Sequence, residues 1–228
     1  MNDHVHDLAL LSDATHRLLD AAAKLDNAAV AEPSRLPGWT RGHVLAHLAR
    51  NADALLNVLA GRPMYASAET RDGDIDRDAP RPLDVQLADV RTTADAFARA
   101  ADADADWSRT VELRNGITDV ASRVPFRRLI EVELHHVDLG IGYGLEDLPE
   151  EFTGREIAFL ADRFSGNAAV APTTLTAADG RQWSTGCTDG DAVTVTGEAA
   201  DLLGWLAGRR DPAALNASGG ALPVLPPL

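Results

Sequence analysis

Apolar residues recur at three- and four-residue steps through most of the first 165 or so positions. Leu8, Leu11, Ala14, Leu18, Leu19 and Ala22 make one such stripe and predict a helix over about 3–25. The stretch Glu32 to Gly38 holds two prolines and a glycine and predicts a loop. Thr40 can cap the next helix, because its hydroxyl accepts an orphan N–H of the first turn. That helix runs to about Ala60 and stops at Gly61, with Pro63 beyond it. Residues 62–82 predict a long polar loop. A third helix spans about Leu83–Ala103, with Leu87, Val90, Ala94 and Phe97 on its inner stripe. Trp107 to Val120 reads as a short strand-like or irregular excursion. A fourth helix starts near Pro125, a residue suited to a first turn, and reaches Ile141 or Tyr143. A fifth covers Pro149–Phe164.

The texture changes after about residue 170, where Thr, Gly and Pro become frequent. Thr173–Thr176 and Ala192–Thr196 predict short strands, Gly180 and Gly190 mark turns, and Glu198–Ala207 predicts a last helix. Residues 217–228 predict loop or an extended arm. The fold class expected is α+β: a helical bundle over 1–166 and a small C-terminal α/β domain over 167–228.

Composition narrows the function. The chain has 228 residues, 45% hydrophobic and 25% charged, the balance of an ordinary globular protein with a proper core. Its 21 Lys+Arg against 35 Asp+Glu give a net charge of −14. That disfavours nucleic acid and anionic membrane surfaces as partners, since both need a basic face. No apolar run approaches the ~20 residues that span a bilayer. The start, Met1-Asn2-Asp3-His4, has no signal-peptide pattern, and a cytoplasmic location is expected. Cys187 is the one cysteine, which excludes an internal disulfide and a thiolate zinc cage. Lys24 is the only lysine, an arginine bias that points to a GC-rich bacterial genome.

Chemistry concentrates in two helical clusters. His43 and His47 are one turn apart, as are Glu131 and His135, with His136 adjacent. At ~100° per residue, Val44, Leu48, Ala52, Leu55 and Leu59 define the buried arc of the second helix. His47 sits at its edge, and His43 lies further toward solvent. On the fourth helix Glu131 and His135 flank the apolar strip of Ile130, Leu134 and Val137, while Glu133 and His136 fall elsewhere. A carboxylate on such a flank needs a partner. A divalent metal held by His47, Glu131 and His135 supplies one, in a two-His, one-carboxylate set suited to zinc with a position left open. The spacing alone also permits a hydrogen-bonded core histidine beside a solvated salt-bridged face. His4, His6 and His16 read as surface residues. Cys187 has no visible base nearby and reads as structural or incidental. The Asp-rich run Asp72–Asp78 lacks the twelfth-position glutamate of a calcium loop. No phosphate loop, dinucleotide fingerprint or nucleophile elbow is present.

Four segments resemble, in order, the mycothiol-dependent maleylpyruvate isomerases of the DinB-like metal-binding helical-bundle superfamily. They are Leu36-Pro37-Gly38-Trp39-Thr40-Arg41-Gly42-His43-Val44-Leu45-Ala46-His47-Leu48-Ala49, then Arg62–Arg71, then Glu131–Gly140, and finally Gly204-Trp205-Leu206-Ala207-Gly208-Arg209. The resemblance implies a DinB-like four-helix bundle with a divalent metal, usually zinc, on His47, Glu131 and His135. It implies an open position for the thiol of mycothiol, the low-molecular-weight thiol of actinobacteria. Arg209 matches an arginine implicated in the family's activity. It would hold a substrate carboxylate or stabilise an enolate, with the C-terminal domain closing one wall of the site. Arg71, on the expected loop, is a second candidate for the same work or for mycothiol. His43 and His136 are not ligands in the family pattern. The implied reaction is thiolate addition to the alkene of maleylpyruvate, rotation about the resulting single bond, and loss of the thiolate to give the trans acid. The substrate is thus a small anionic or electrophilic molecule, and the protein a monomer or small homo-oligomer. A mycothiol S-transferase at the same metal–thiolate centre, a non-catalytic metal-binding bundle and a metal-dependent hydrolase remain as alternatives.

Overall fold

The computed structural model describes residues 4–101 and 106–227. Asp3 and residues 102–103, expected at two helix ends, lie outside the described residues. The architecture is α+β, and the chain divides into two compact units, Met1–Tyr143 and Gly144–Leu228.

The first unit is built on four helices: α1 (His4–Ala22), α3 (Arg41–Leu59), α5 (Leu83–Ala101) and α6 (Val124–Asp138). They close a ring in which α1 packs on α6, α6 on α3, α3 on α5 and α5 on α1. The apolar stripes meet inside it, where Leu18, Leu45, Leu48, Phe97 and Leu129 are sealed from solvent. Burial of that kind stabilises by roughly 1.5–3 kcal/mol per large side chain. A one-turn helix, α2 (Asn27–Ala31), precedes the loop into α3 and is capped by Asp26. The excursion after α5 is a two-stranded antiparallel hairpin of β1 (Thr110–Glu112) and β2 (Thr118–Val120).

Two expectations for this unit are corrected. The stretch 62–82 is not a loop throughout, since α4 covers Ala68–Asp78. Ile75 is its one buried aliphatic anchor, so no apolar stripe announces the helix. Ends and ion pairs hold it instead. Ser67 caps it by accepting from Thr70 N at 3.1 Å, and buried Asp78 pairs with Arg50, Arg77 and Arg81. Gly42 lets α4 close on α3, because a Cβ there would lie 2.2 Å from Ala79 O. The other correction is the end of α6. The helix stops at Asp138, short of Ile141, because Gly140 takes a φ of 65° that unwinds the chain.

The second unit opens with α7 (Glu150–Phe164) and carries a four-stranded sheet. Its strands are β3 (Thr173–Ala177), β4 (Gln182–Thr185), β5 (Val193–Gly197) and β6 (Asn216–Ser218), ordered β4-β3-β5-β6. β3 and β5 are parallel, with Leu175 opposite Val195, and the edge pairs are antiparallel. α8 (Ala199–Leu206) packs on α7, and α7 also packs on β4. The helix expected at the end of the bundle region therefore groups with the sheet, and the compact units divide at 143/144 rather than 166/167. β4 and β6 are strands without an apolar run, and β6 is exposed along its length. Among the described residues no helix is long and apolar enough to cross a membrane.

Candidate metal centre

The N-terminus of α3 fixes the depth of its histidines. Thr40 accepts from His43 N at 3.3 Å, and His43 Nδ1 accepts from Thr40 N at 3.2 Å. His43 is thus committed to a capping box, one turn above His47. His47 is buried, with Trp39 packed on its ring at 5.5 Å between centroids.

From the facing helix, α6, Glu131 and His135 project toward it. Glu131 Oε2 lies 3.0 Å from His47 Nε2 and 3.1 Å from His135 Nε2. The two imidazoles meet edge to face, 4.6 Å apart. All three donor atoms fall within 4.8 Å of one another. Ligand bonds of ~2.0–2.1 Å at tetrahedral angles space donors roughly 3.3 Å apart, so small adjustments suffice for a shared ion. Two imidazole nitrogens and one carboxylate oxygen also fit a borderline divalent cation such as zinc.

Charge is distributed unevenly over the triad. Burial takes His47 down to about 4, against the opposing pull of its Glu131 hydrogen bond. Burial opposes ionisation of His135 too, yet hydrogen bonds to Asp138 and then Glu131 outweigh it and raise its pKa. Glu131 feels burial upward but is held well below its ordinary range by the two histidines. A third of its side chain is open, although its Oε2 end is wedged between two buried rings.

The reason for the asymmetry is what faces the far nitrogen of each ring. His135 Nδ1 meets Asp138 Oδ2 at 2.8 Å. His47 Nδ1 meets Arg71 Nη2 at 3.4 Å. A guanidinium only donates, so His47 Nδ1 is the acceptor there and Nε2 carries the proton shared with Glu131. Arg71 comes from α4 and lies over the Tyr65 ring at 5.9 Å.

His47 and Glu131 line a cavity of about 170 Å³, with Arg71, Arg114 and Arg127 also in its wall. Of these arginines Arg71 is paired with Asp72 and Arg127 with Asp119, so the wall offers charge-assisted donors rather than bare charge. Met64, Tyr65, Leu113 and Arg114 also line a larger neighbouring cavity of about 520 Å³. The sequence-derived triad is therefore assembled in one place with Arg71 beside it. Arg209 belongs to the second unit, where its Nη1 donates to Ala207 O at 3.1 Å. Glu133 and His136 do face elsewhere. Glu133 accepts from Arg17 and Tyr143, and His136 stacks on Tyr143 at 4.0 Å. Sequence reasoning missed Asp138, although three-residue spacing from His135 on one helix carried the signal.

Comparison with known proteins gives a consistent result along the whole chain. The family profile described as the mycothiol maleylpyruvate isomerase N-terminal domain matches residues 11–140. The profile described as the MDMPI C-terminal domain matches residues 147–227. A crystal structure of the mycothiol-dependent maleylpyruvate isomerase shares 27% identity over 99% of this chain and 97% of that chain, with a TM-score of 0.88. A histidine-to-alanine mutant of that isomerase matches with the same values. No curated protein matches by sequence.

Proposed function

The chain belongs to the mycothiol maleylpyruvate isomerase family, and on that premise we propose that it is a metal- and mycothiol-dependent cis–trans isomerase of maleylpyruvate or a similarly conjugated acid. The observation that carries the reading is the convergence of His47, Glu131 and His135 beside an arginine-walled cavity. A divalent ion held there, with zinc the best match to the donors, supplies the charge that keeps a thiol ionised at neutral pH, where a free thiol with pKa ~8.5 is mostly protonated.

The chain's own residues divide the remaining work. His47 and His135 give neutral nitrogen donors, and Glu131 gives one negative charge, so the centre keeps net positive charge with a doubly charged ion. Asp138 fixes the His135 ring. Arg71, in the cavity wall, is assigned a carboxylate of the substrate, and Arg209 is a second candidate for that work, since an anion in a low-dielectric pocket calls for a charge-assisted donor. The larger cavity, which shares wall residues with the one lined by His47 and Glu131, has room for the body of a low-molecular-weight thiol. A cytoplasmic site of action fits a thiol that must stay reduced.

The test is turnover of maleylpyruvate with mycothiol, with metal content measured in the same sample. About one divalent ion per chain is expected, together with thiol-dependent formation of the trans acid and full recovery of free thiol. His47→Ala should lose both the ion and turnover. A metal-loaded protein that consumes thiol stoichiometrically is a transferase, and one that does neither is not an enzyme of this type.

A further inference from the structure

Asn51 follows His47 by one turn on α3 and is 2% exposed. It lines the same cavity of about 170 Å³ as His47 and Glu131. Behind it lies Arg128 of α6, three residues before Glu131 and 1% exposed. Arg128 Nη1 donates to Asn51 Oδ1 at 2.8 Å. A guanidinium has no acceptor and stays protonated, so this contact fixes which way the amide points. The oxygen faces Arg128 and the NH₂ group faces away. Among the described residues Nδ2 makes no hydrogen bond, yet it is not among the buried atoms cut off from solvent. It therefore keeps open surface, and the surface Asn51 lines is the cavity.

A buried arginine is an expensive way to fill space, since well-packed apolar side chains often stabilise more. What Arg128 provides that an apolar residue does not is a fixed and polarised amide with its donors turned outward.

We propose that Asn51 Nδ2 is a catalytic hydrogen-bond donor to the conjugated carbonyl oxygen of the substrate, and that Arg128 is the positioning residue that locks it in the donating orientation. This rests on the isomerase reading above. Loss of the carbon–carbon double bond to a sulfur nucleophile sends its π pair onto that oxygen as an enolate. Return of the pair re-forms the double bond and releases the sulfur anion, so no proton, electron or atom is gained or lost. The oxyanion exists only between those two events, and a pre-aimed donor favours it over the neutral ketone.

The experiment compares Asn51→Ala, Asn51→Asp, Arg128→Met and the combination of Asn51→Ala with Arg128→Met against the unmodified metal-loaded protein. Turnover of maleylpyruvate is one readout. The other is calorimetric binding of acetylpyruvate, a dioxo acid with no alkene to isomerise. Metal per chain and melting temperature are measured alongside. We expect all variants to keep about one ion per chain. Asn51→Ala should lose about 100-fold in kcat, the scale of removing one oxyanion donor. Its acetylpyruvate affinity should fall about 10-fold, and that of Asn51→Asp further, because a carboxylate turns an acceptor toward the ligand. A purely structural Asn51 gives the reverse order, because the carboxylate introduced by Asn51→Asp would pair with Arg128 and hold the fold better than alanine. Asn51→Ala combined with Arg128→Met should be no worse than Asn51→Ala alone. The proposal is overturned if Asn51→Asp binds acetylpyruvate like the unmodified protein, if the two losses add, or if the unmodified protein binds no acetylpyruvate. If binding depends on Asn51 but maleylpyruvate is not isomerised, the donor role stands and the isomerase reading fails.

Discussion

Asp138 Oδ2 lies 2.8 Å from His135 Nδ1, three residues further along the same helix. The contact occupies Nδ1, so Nε2 is the ring's ligand atom, and it holds the ring toward Glu131 and His47. Asp138 is 1% exposed, so the contact is made in a weakly screened setting. Outer-shell partners of this kind are worth about 10–100-fold in metal affinity. Asp138→Asn should weaken zinc binding by that factor, read by competition with a chromophoric chelator. Unchanged affinity would mean the aspartate serves only the end of the helix.

Metal uptake should release a proton. With Asp138 and Glu131 on its two nitrogens, His135 holds its proton above the ordinary histidine range, while burial keeps His47 neutral down to about 4. An ion on Nε2 displaces the His135 proton. Affinity should rise as pH climbs through the raised His135 value and then level off. Calorimetry in two buffers of different ionisation enthalpy counts the protons, with about one per ion expected on the acid side. The metal-free fold carries the matching signs. The His135 contribution is full below 6.5 and is lost as pH rises through its folded value. The His47 contribution is lost as pH falls from 6.5 toward about 4.

The convergence of the candidate metal triad was legible because ligand spacing and helical period are both sequence properties. His47, Glu131 and His135 sit on the flanks of strong apolar stripes, and those stripes fix rotation about each helix axis. α4 was not legible, because its stability comes from Ser67, Gly42 and the arginines around Asp78 rather than from a stripe. Only the packed chain shows that a polar segment is pinned against α3. The same limit hid β6, whose three residues, Asn216, Ala217 and Ser218, pair through their backbones alone with β5. Asn51 lies one turn from His47 on the same helix, but its partner is 77 positions away and no local pattern connects the two.

Arg209→Ala tests the second arginine. Its assigned work is on substrate, so the variant should keep about one ion per chain and lose most turnover, with a higher KM for the acid. Loss of the metal together with activity would point to a structural part in its own unit, where Arg209 already holds the carbonyl of Ala207.

Arg71 should show two effects of opposite sign. Its guanidinium donates to His47 Nδ1 at 3.4 Å, which requires the His47 proton to sit on Nε2. An ion on Nε2 moves that proton to Nδ1, and a donor then faces a donor. The guanidinium is also a positive charge beside a site for a cation. Removing it as Arg71→Gln should therefore tighten metal binding several-fold. The same change takes a charge-assisted donor from the cavity wall, so KM for an anionic substrate should rise about 10-fold, the effect of ~1.4 kcal/mol. Ser67→Ala offers a milder version of the same perturbation. Loss of the cap costs ~1 kcal/mol and frays the first turn of α4, where Arg71 is anchored. It should raise KM with little change in the metal affinity of the folded protein. If Arg71→Gln weakens both metal and substrate binding, the arginine is supporting the site's structure and its assigned contact with the substrate is wrong.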